Sequence, residues 1–139
     1  MATRSSSKVA AGTPAKGLSV GLVAVTATYS VAAATSLSAG DVIQMVNVPK
    51  GATVIYVALS GGSGDALCSL GDGVSDTRYL AYSSMGSVTS VVRTITLNAS
   101  NVPYVYSTDD TIDVFVSTVS VGTITGGFNL TILFSKDTA

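Results

Sequence analysis

The stretch DVIQMVNVPKGATVIYVALS, residues 41–60, decides how the chain is read. Two runs, Val42–Val48 and Ala52–Ser60, are dominated by β-branched and apolar residues, and Pro49-Lys50-Gly51 separates them. Such runs fit the pleated, half-buried surface of a sheet. Proline presets φ and glycine accepts φ > 0, so the interruption is a turn. The unit is strand, turn, strand, and Ala39-Gly40-Asp41 punctuates its beginning in the same way.

Working outward, the same grammar repeats. From Leu18 to Val31 the pattern has period two, with Val23, Val25, Ala27, Tyr29 and Val31 on one face and Ala24, Thr26, Thr28 and Ser30 on the other. Further strands are expected at Asp65–Leu70, Thr77–Tyr82, Val88–Leu97, Tyr104–Tyr106, Thr111–Val119 and Ile124–Phe134. In the last of these Phe128, Leu130, Ile132 and Phe134 alternate with Asn129, Thr131, Leu133 and Ser135, and Gly126-Gly127 marks a bulge or kink. Eight or nine strands with turn signals every 8–12 residues, and no sustained helical period, predict an all-β antiparallel β-sandwich or barrel. Eight strands in two packed sheets is the jelly-roll count. A lipocalin-like barrel fits the strand count equally, and an immunoglobulin-like sandwich lacks its cysteine pair and tryptophan.

Composition narrows function. Of 139 residues only 11% are charged, against roughly 25% in an average soluble domain, and there is no Glu, His or Trp. Missing His removes the commonest general base and the commonest metal ligand. The eight Asp fall largely in turn sequences such as Asp72-Gly73 and Asp109-Asp110, and Asp72 and Asp76 are out of the alternating register of a calcium loop. No serine has a recognisable base and no phosphate-cradling loop occurs, so no catalytic, metal or cofactor residues are assigned. The lone Cys68, in an apolar context, reads as a small hydrophobe and fits assembly in a reducing cytoplasm. The charge-free stretches 17–40 and 114–135 alternate rather than run apolar, so neither is a membrane helix.

The few charges are sorted. Residues 1–16 carry Arg4, Lys8 and Lys16 with no acid, hence +3; residues 17–139 carry four bases against eight Asp, hence −4. The expected organisation is a flexible N-terminal arm, residues 1–17, before a single β-sandwich domain, residues 18–139. The arm's bases are candidate interface residues. So are Tyr79, Tyr82, Tyr104 and Tyr106, which suit either sheet packing, a protein interface or a sugar-binding face.

Three stretches together carry a resemblance: residues 38–57, Leu70-Gly-Asp-Gly-Val-Ser-Asp-Thr-Arg78, and Ser107-Thr-Asp-Asp-Thr-Ile-Asp-Val114. Their order and spacing resemble those of small tailed-phage capsid cement or decoration proteins, the cement protein of a Bordetella-type short-tailed phage being one candidate. The likeness extends over about residues 20–135. It implies a jelly-roll virion protein on the outer capsid surface, assembled in the host cytoplasm. Its implied partners are the major capsid protein and further copies of itself, as homodimer or homotrimer, with neither nucleic acid nor membrane. The resemblance supplies no catalytic residue. The competing expectations are a tail or head-fibre component and a carbohydrate-binding module.

Overall fold

The computed structural model describes residues 2–5, 21–30, 37–63, 66–84, 92–94, 103–119 and 125–136. All regular structure among them is strand: β1 (Thr3–Ser5), β2 (Gly21–Ser30), β3 (Val42–Val48), β4 (Ala52–Ser63), β5 (Ala66–Asp72), β6 (Leu80–Ser84), β7 (Val92–Thr94), β8 (Tyr104–Val105), β9 (Asp110–Val119) and β10 (Thr125–Lys136). They form two sheets, β1-β3-β9-β5-β6 and β2-β10-β4-β7, with β8 added to β4.

Pairing is nested. With the short β1 and β8 set aside, β2 pairs with β10, β3 with β9, β4 with β7 and β5 with β6, all antiparallel. First meets last, second meets next to last, and so inward to a central hairpin. Rolling that ladder up brings β4 against β10 and β5 against β9. This is the double-sheet jelly roll, an all-β antiparallel β-sandwich. The Pro49-Lys50-Gly51 turn therefore makes no hairpin; it carries the chain from one sheet to the other. Gly51 takes φ +84°, which an L side chain rarely adopts. The turn is fastened from outside by Lys50 N–H donating to Asp109 Oδ1 (2.7 Å) and Gly51 N–H to the Tyr106 carbonyl (2.7 Å).

The core lies between the sheets. β10 supplies Phe128, Leu130, Ile132 and Phe134; β9 supplies Ile112, Val114 and Val116; β3 and β4 add Ile43, Met45, Val54, Val57 and Leu59. On β2, Ala27 is buried and Val23, Val25 and Tyr29 pack against the core, while Ala24, Thr26, Thr28 and Ser30 are exposed. Outside, Thr26 meets Thr131 and Thr28 donates to Asn129 (2.9 Å), so the polar face is knit across strands too. Cys68 is buried, and burial pushes its thiol up to about 12, which keeps it an unreactive hydrophobe. Gly127 sits at a register shift between Thr125 and Phe128, and a Cβ there would lie 2.2 Å from the Tyr29 carbonyl oxygen.

Two segments differ from the sequence expectation. Thr3–Ser5, at the start of the stretch read as an arm, lies parallel to β3. Residues 6–20, with Lys8 and Lys16, lie outside the described residues, as do 88–91 and 95–97 of the expected strand Val88–Leu97. Residues 77–79, expected to begin a strand, belong instead to a loop folded back over β5. Asp72 causes this. Its Oδ1 accepts the amides of Val74 (3.0 Å) and Ser75 (2.9 Å), and its own N–H donates to the Ser75 carbonyl. Those bonds turn the chain before the apolar residues of β6 can pair. Gly71 is required beneath the loop, because a Cβ there would lie 2.0 Å from the Ser75 carbonyl oxygen.

Candidate interaction surface

Asp72 ends β5 on the inward-facing side and is almost fully buried. Its Oδ2 pairs with Arg78 Nε and accepts the Tyr106 hydroxyl (3.1 Å). A phenol has one proton, so the 2.6 Å contact between Tyr79 and Tyr106 is donated by Tyr79. Arg78 then lies over the Tyr104 ring, 3.7 Å from its centroid, and Tyr104 meets Tyr106 edge to face at 5.0 Å. A chain Tyr79–Tyr106–Asp72–Arg78–Tyr104 thus joins the β5–β6 loop to the segment around β8. Burial is the main force raising both Tyr79 and Tyr106 above the ordinary phenol value, so both stay neutral donors.

This placement sorts the four tyrosines singled out from sequence. Tyr79 (1% exposed) and Tyr106 (3%) are core residues with no surface to offer a partner. Tyr104 is half-buried under Arg78. Tyr82 is exposed and donates to Asp76 Oδ2 (2.8 Å). Neighbouring positions in sequence therefore separate into structural and accessible roles.

Arg4 is the described base of the arm. Its Nε lies 3.3 Å from Asp41 Oδ2, and it also reaches the Tyr29 hydroxyl on β2, at the edge of the opposite sheet. Asp41 is buried and gathers three donors: Arg4, the Ser38 amide (3.0 Å) and the Ala2 amide (3.3 Å). Burial by itself raises this carboxyl, but the Ser38 and Ala2 amides and Arg4 together outweigh it and hold it below the usual value. The backbone around it is tied on the other side to β9, through Gly40 N–H to the Val116 carbonyl (2.7 Å) and Val116 N–H to the Asp41 carbonyl (3.0 Å). Asp41 is thus a joint between β1, β3 and β9.

Asp113 differs from the turn-holding aspartates. The structure places it on β9 between Gln44 and Gly71, on the face away from the core, yet only 4% exposed. The loop that crosses Gly71 covers it. Its Oδ1 has no hydrogen-bond partner, and burial, with the Asp110 and Asp72 charges adding to it, pushes the carboxyl up to about 7. Among the described residues no group of three or more His, Cys, Asp or Glu could hold a metal ion.

What remains accessible is apolar and dispersed. Val74 stands 82% exposed at the tip of the β5–β6 loop, and Leu67 and Tyr82 are exposed on the flanking strands. On the other sheet Ile55 and Val105 are exposed on the paired strands β4 and β8, and Leu22 on β2. These are the exposed large hydrophobic residues among the described ones. Sequence reading singled out Tyr82 among them; each of the others is a single apolar residue in an otherwise ordinary strand or turn.

No protein-family model and no curated protein matches the chain. Solved structures do. A chain of the Cyanophage Pam1 capsid asymmetric unit superposes with a TM-score of 0.73 at 18% identity, covering 88% of this chain and 90% of that one. A chain of the capsid of Ralstonia phage GP4 gives 0.69 at 19% identity, covering 91% and 92%. A chain of the acid-stable capsid of Helicobacter pylori bacteriophage KHP30 gives 0.51 at 15% identity, covering 82% and 86%. The fold reached strand by strand is thus the fold of chains found in three phage capsids, over nearly the full length of the first two.

Proposed function

We propose that the chain is a non-enzymatic structural protein of a phage virion, bound to the outer surface of the capsid, where it stabilises the shell by bridging major capsid protein subunits. The near-complete fold match to chains of two phage capsids carries this reading. The physical chemistry agrees with it. The carboxylates of Asp41, Asp72, Asp109 and Asp110 accept backbone amides and hold turns, a structural use of these acids. A body this poor in charge has little electrostatic protection against association, and a lattice that covers part of its surface removes the need for it. Val74, Tyr82 and Leu67 around β5 and β6, and Ile55 and Val105 on β4 and β8, leave apolar side chains exposed on elements of both sheets, which suits contact with more than one neighbour. Weak contacts repeated over a shell add through avidity. A sugar-binding role for the tyrosines loses two of its four rings to the core.

The test is shell stability. Capsids assembled with the protein should rupture at a higher temperature, and survive a larger osmotic step, than capsids lacking it. Equal rupture points with full occupancy overturn the stabilising role.

A further inference from the structure

The most unusual element of the sandwich is β1. It contains three residues, pairs parallel in an otherwise antiparallel sheet, and lies at the outer edge beside β3. Its attachment is nonetheless specific. Thr3, Arg4 and Ser5 stand opposite Val42, Ile43 and Gln44; Val42 N–H donates to the Ala2 carbonyl (2.9 Å); and the Ala2 amide and Arg4 converge on Asp41. The receiving groups, Asp41, the free edge of β3 and Tyr29, all belong to the body of the domain. They form a built receptor for the sequence Ala2-Thr3-Arg4-Ser5.

We propose that this receptor takes residues 2–5 of a second copy of the chain, so that neighbouring copies are joined by exchange of β1. Four observations support it. The receptor lies on a sheet edge, reachable from outside. The exchanged unit is three paired residues and one ion pair, so releasing it requires only local opening rather than unfolding of the sandwich. Residues 6–20 separate β1 from β2, fifteen residues whose fully extended reach is about 50 Å, longer than the sandwich strands themselves. The charges complement: the first sixteen residues carry +3 and the remainder −4, so an arm presented to another copy meets a body of opposite sign. Exchange keeps every contact of the closed form and adds a link between copies, which is why identical elements are traded at low cost. The proposal concerns copies of this chain with one another and does not depend on the shell beneath them.

The test uses the full chain in two single variants, Thr3→Cys and Val42→Cys, the second carrying a mass tag. The native Cys68 is buried and left in place. The two variants are co-expressed, purified, concentrated and oxidised, and disulfide-linked peptides are mapped by mass spectrometry. Exchange places the introduced thiols of two different chains opposite one another, so a tagged–untagged covalent pair linked between positions 3 and 42 is expected. Adding Asp41→Asn to the Val42→Cys chain should lower its yield about tenfold, since the charged acceptor is lost. Absence of the between-chain link overturns the proposal, and so does a link whose yield ignores Asp41. The double variant Thr3→Cys/Val42→Cys, diluted before oxidation, shows that the pair can close within one chain. Its closing while the mixed singles stay unlinked leaves β1 bound only to its own domain.

Discussion

Replacing Asp72 by alanine is expected to lower stability by about 3–5 kcal/mol, the range for removing one partner of a buried ion pair. The side chain serves four donors: Val74 and Ser75 amides on Oδ1, Arg78 and the Tyr106 hydroxyl on Oδ2. Without it, Arg78 and the Tyr106 hydroxyl lose the buried carboxylate they share, and the β5–β6 loop loses the bonds that fold it over Gly71. In a chain of 139 residues that corresponds to a fall in Tm of roughly 10–15 °C. Asp72→Asn retains an acceptor and should fall in between. Asp76→Ala is the control: Asp76 is exposed, its carboxylate accepts only the exposed Tyr82 hydroxyl, and it should shift stability by less than about 1 kcal/mol. Thermal or urea unfolding of the three variants checks the order. An Asp72→Ala protein within about 1 kcal/mol of the wild type contradicts the account of the network.

Asp113→Asn should act in the opposite direction and only at the higher pH. The Asp113 carboxyl is raised from 3.8 to about 7 in the folded chain, so between those values the folded state keeps a proton that the unfolded state has released. Stability from this group is complete below about pH 4 and is lost as pH rises to about 7. The full loss is at most about 4 kcal/mol, three units at 1.36 kcal/mol each, and less where water reaches the site. Asparagine copies the neutral carboxyl in shape and does not ionise. The variant should therefore match the wild type near pH 4 and exceed it by about 1–3 kcal/mol at pH 8. Denaturant melts at both pH values decide it: parallel stability–pH curves for the two proteins contradict a buried, strained carboxylate.

These two residues also show where sequence reading stops. The alternation in β2 and β10 was legible because one buried face selects every second residue, and the face with Val23, Val25, Ala27 and Tyr29 on β2 and Phe128, Leu130, Ile132 and Phe134 on β10 is the one turned to the core. Gly126-Gly127 marked the register shift in β10. Turn chemistry placed Pro49-Lys50-Gly51 correctly but could not show that it changes sheet, because turn residues look the same whether the next strand pairs or crosses over. Thr3–Ser5 has no periodicity of its own and is held by Asp41, thirty-seven positions from Arg4, so local pattern could not find it. Asp113 sits on the polar side of its strand and reads as exposed; its burial comes from a loop whose path is set by Asp72, forty-one positions earlier. Tyr79 and Tyr106 suit sheet packing, an interface or a sugar-binding face alike until the chain Tyr79–Tyr106–Asp72 places their hydroxyls in the core. The three stretches that carry the resemblance meet in space, with 49–51 against 106–109 and 72–78 against 104–113, and their aspartates are the pegs that hold the turns. They specify the scaffold rather than a contact surface, which is why the accessible residues Val74, Val105 and Leu22 were not legible in the same motifs.

The central claim is that the chain coats the outside of a phage shell, and a cryo-EM reconstruction of the assembled particle tests it most directly. Density for the β-sandwich is expected to repeat over the whole outer surface, each copy touching more than one major capsid protein subunit. Density confined to a single vertex or to the tail, or none on the shell at full expression of the protein, would contradict it.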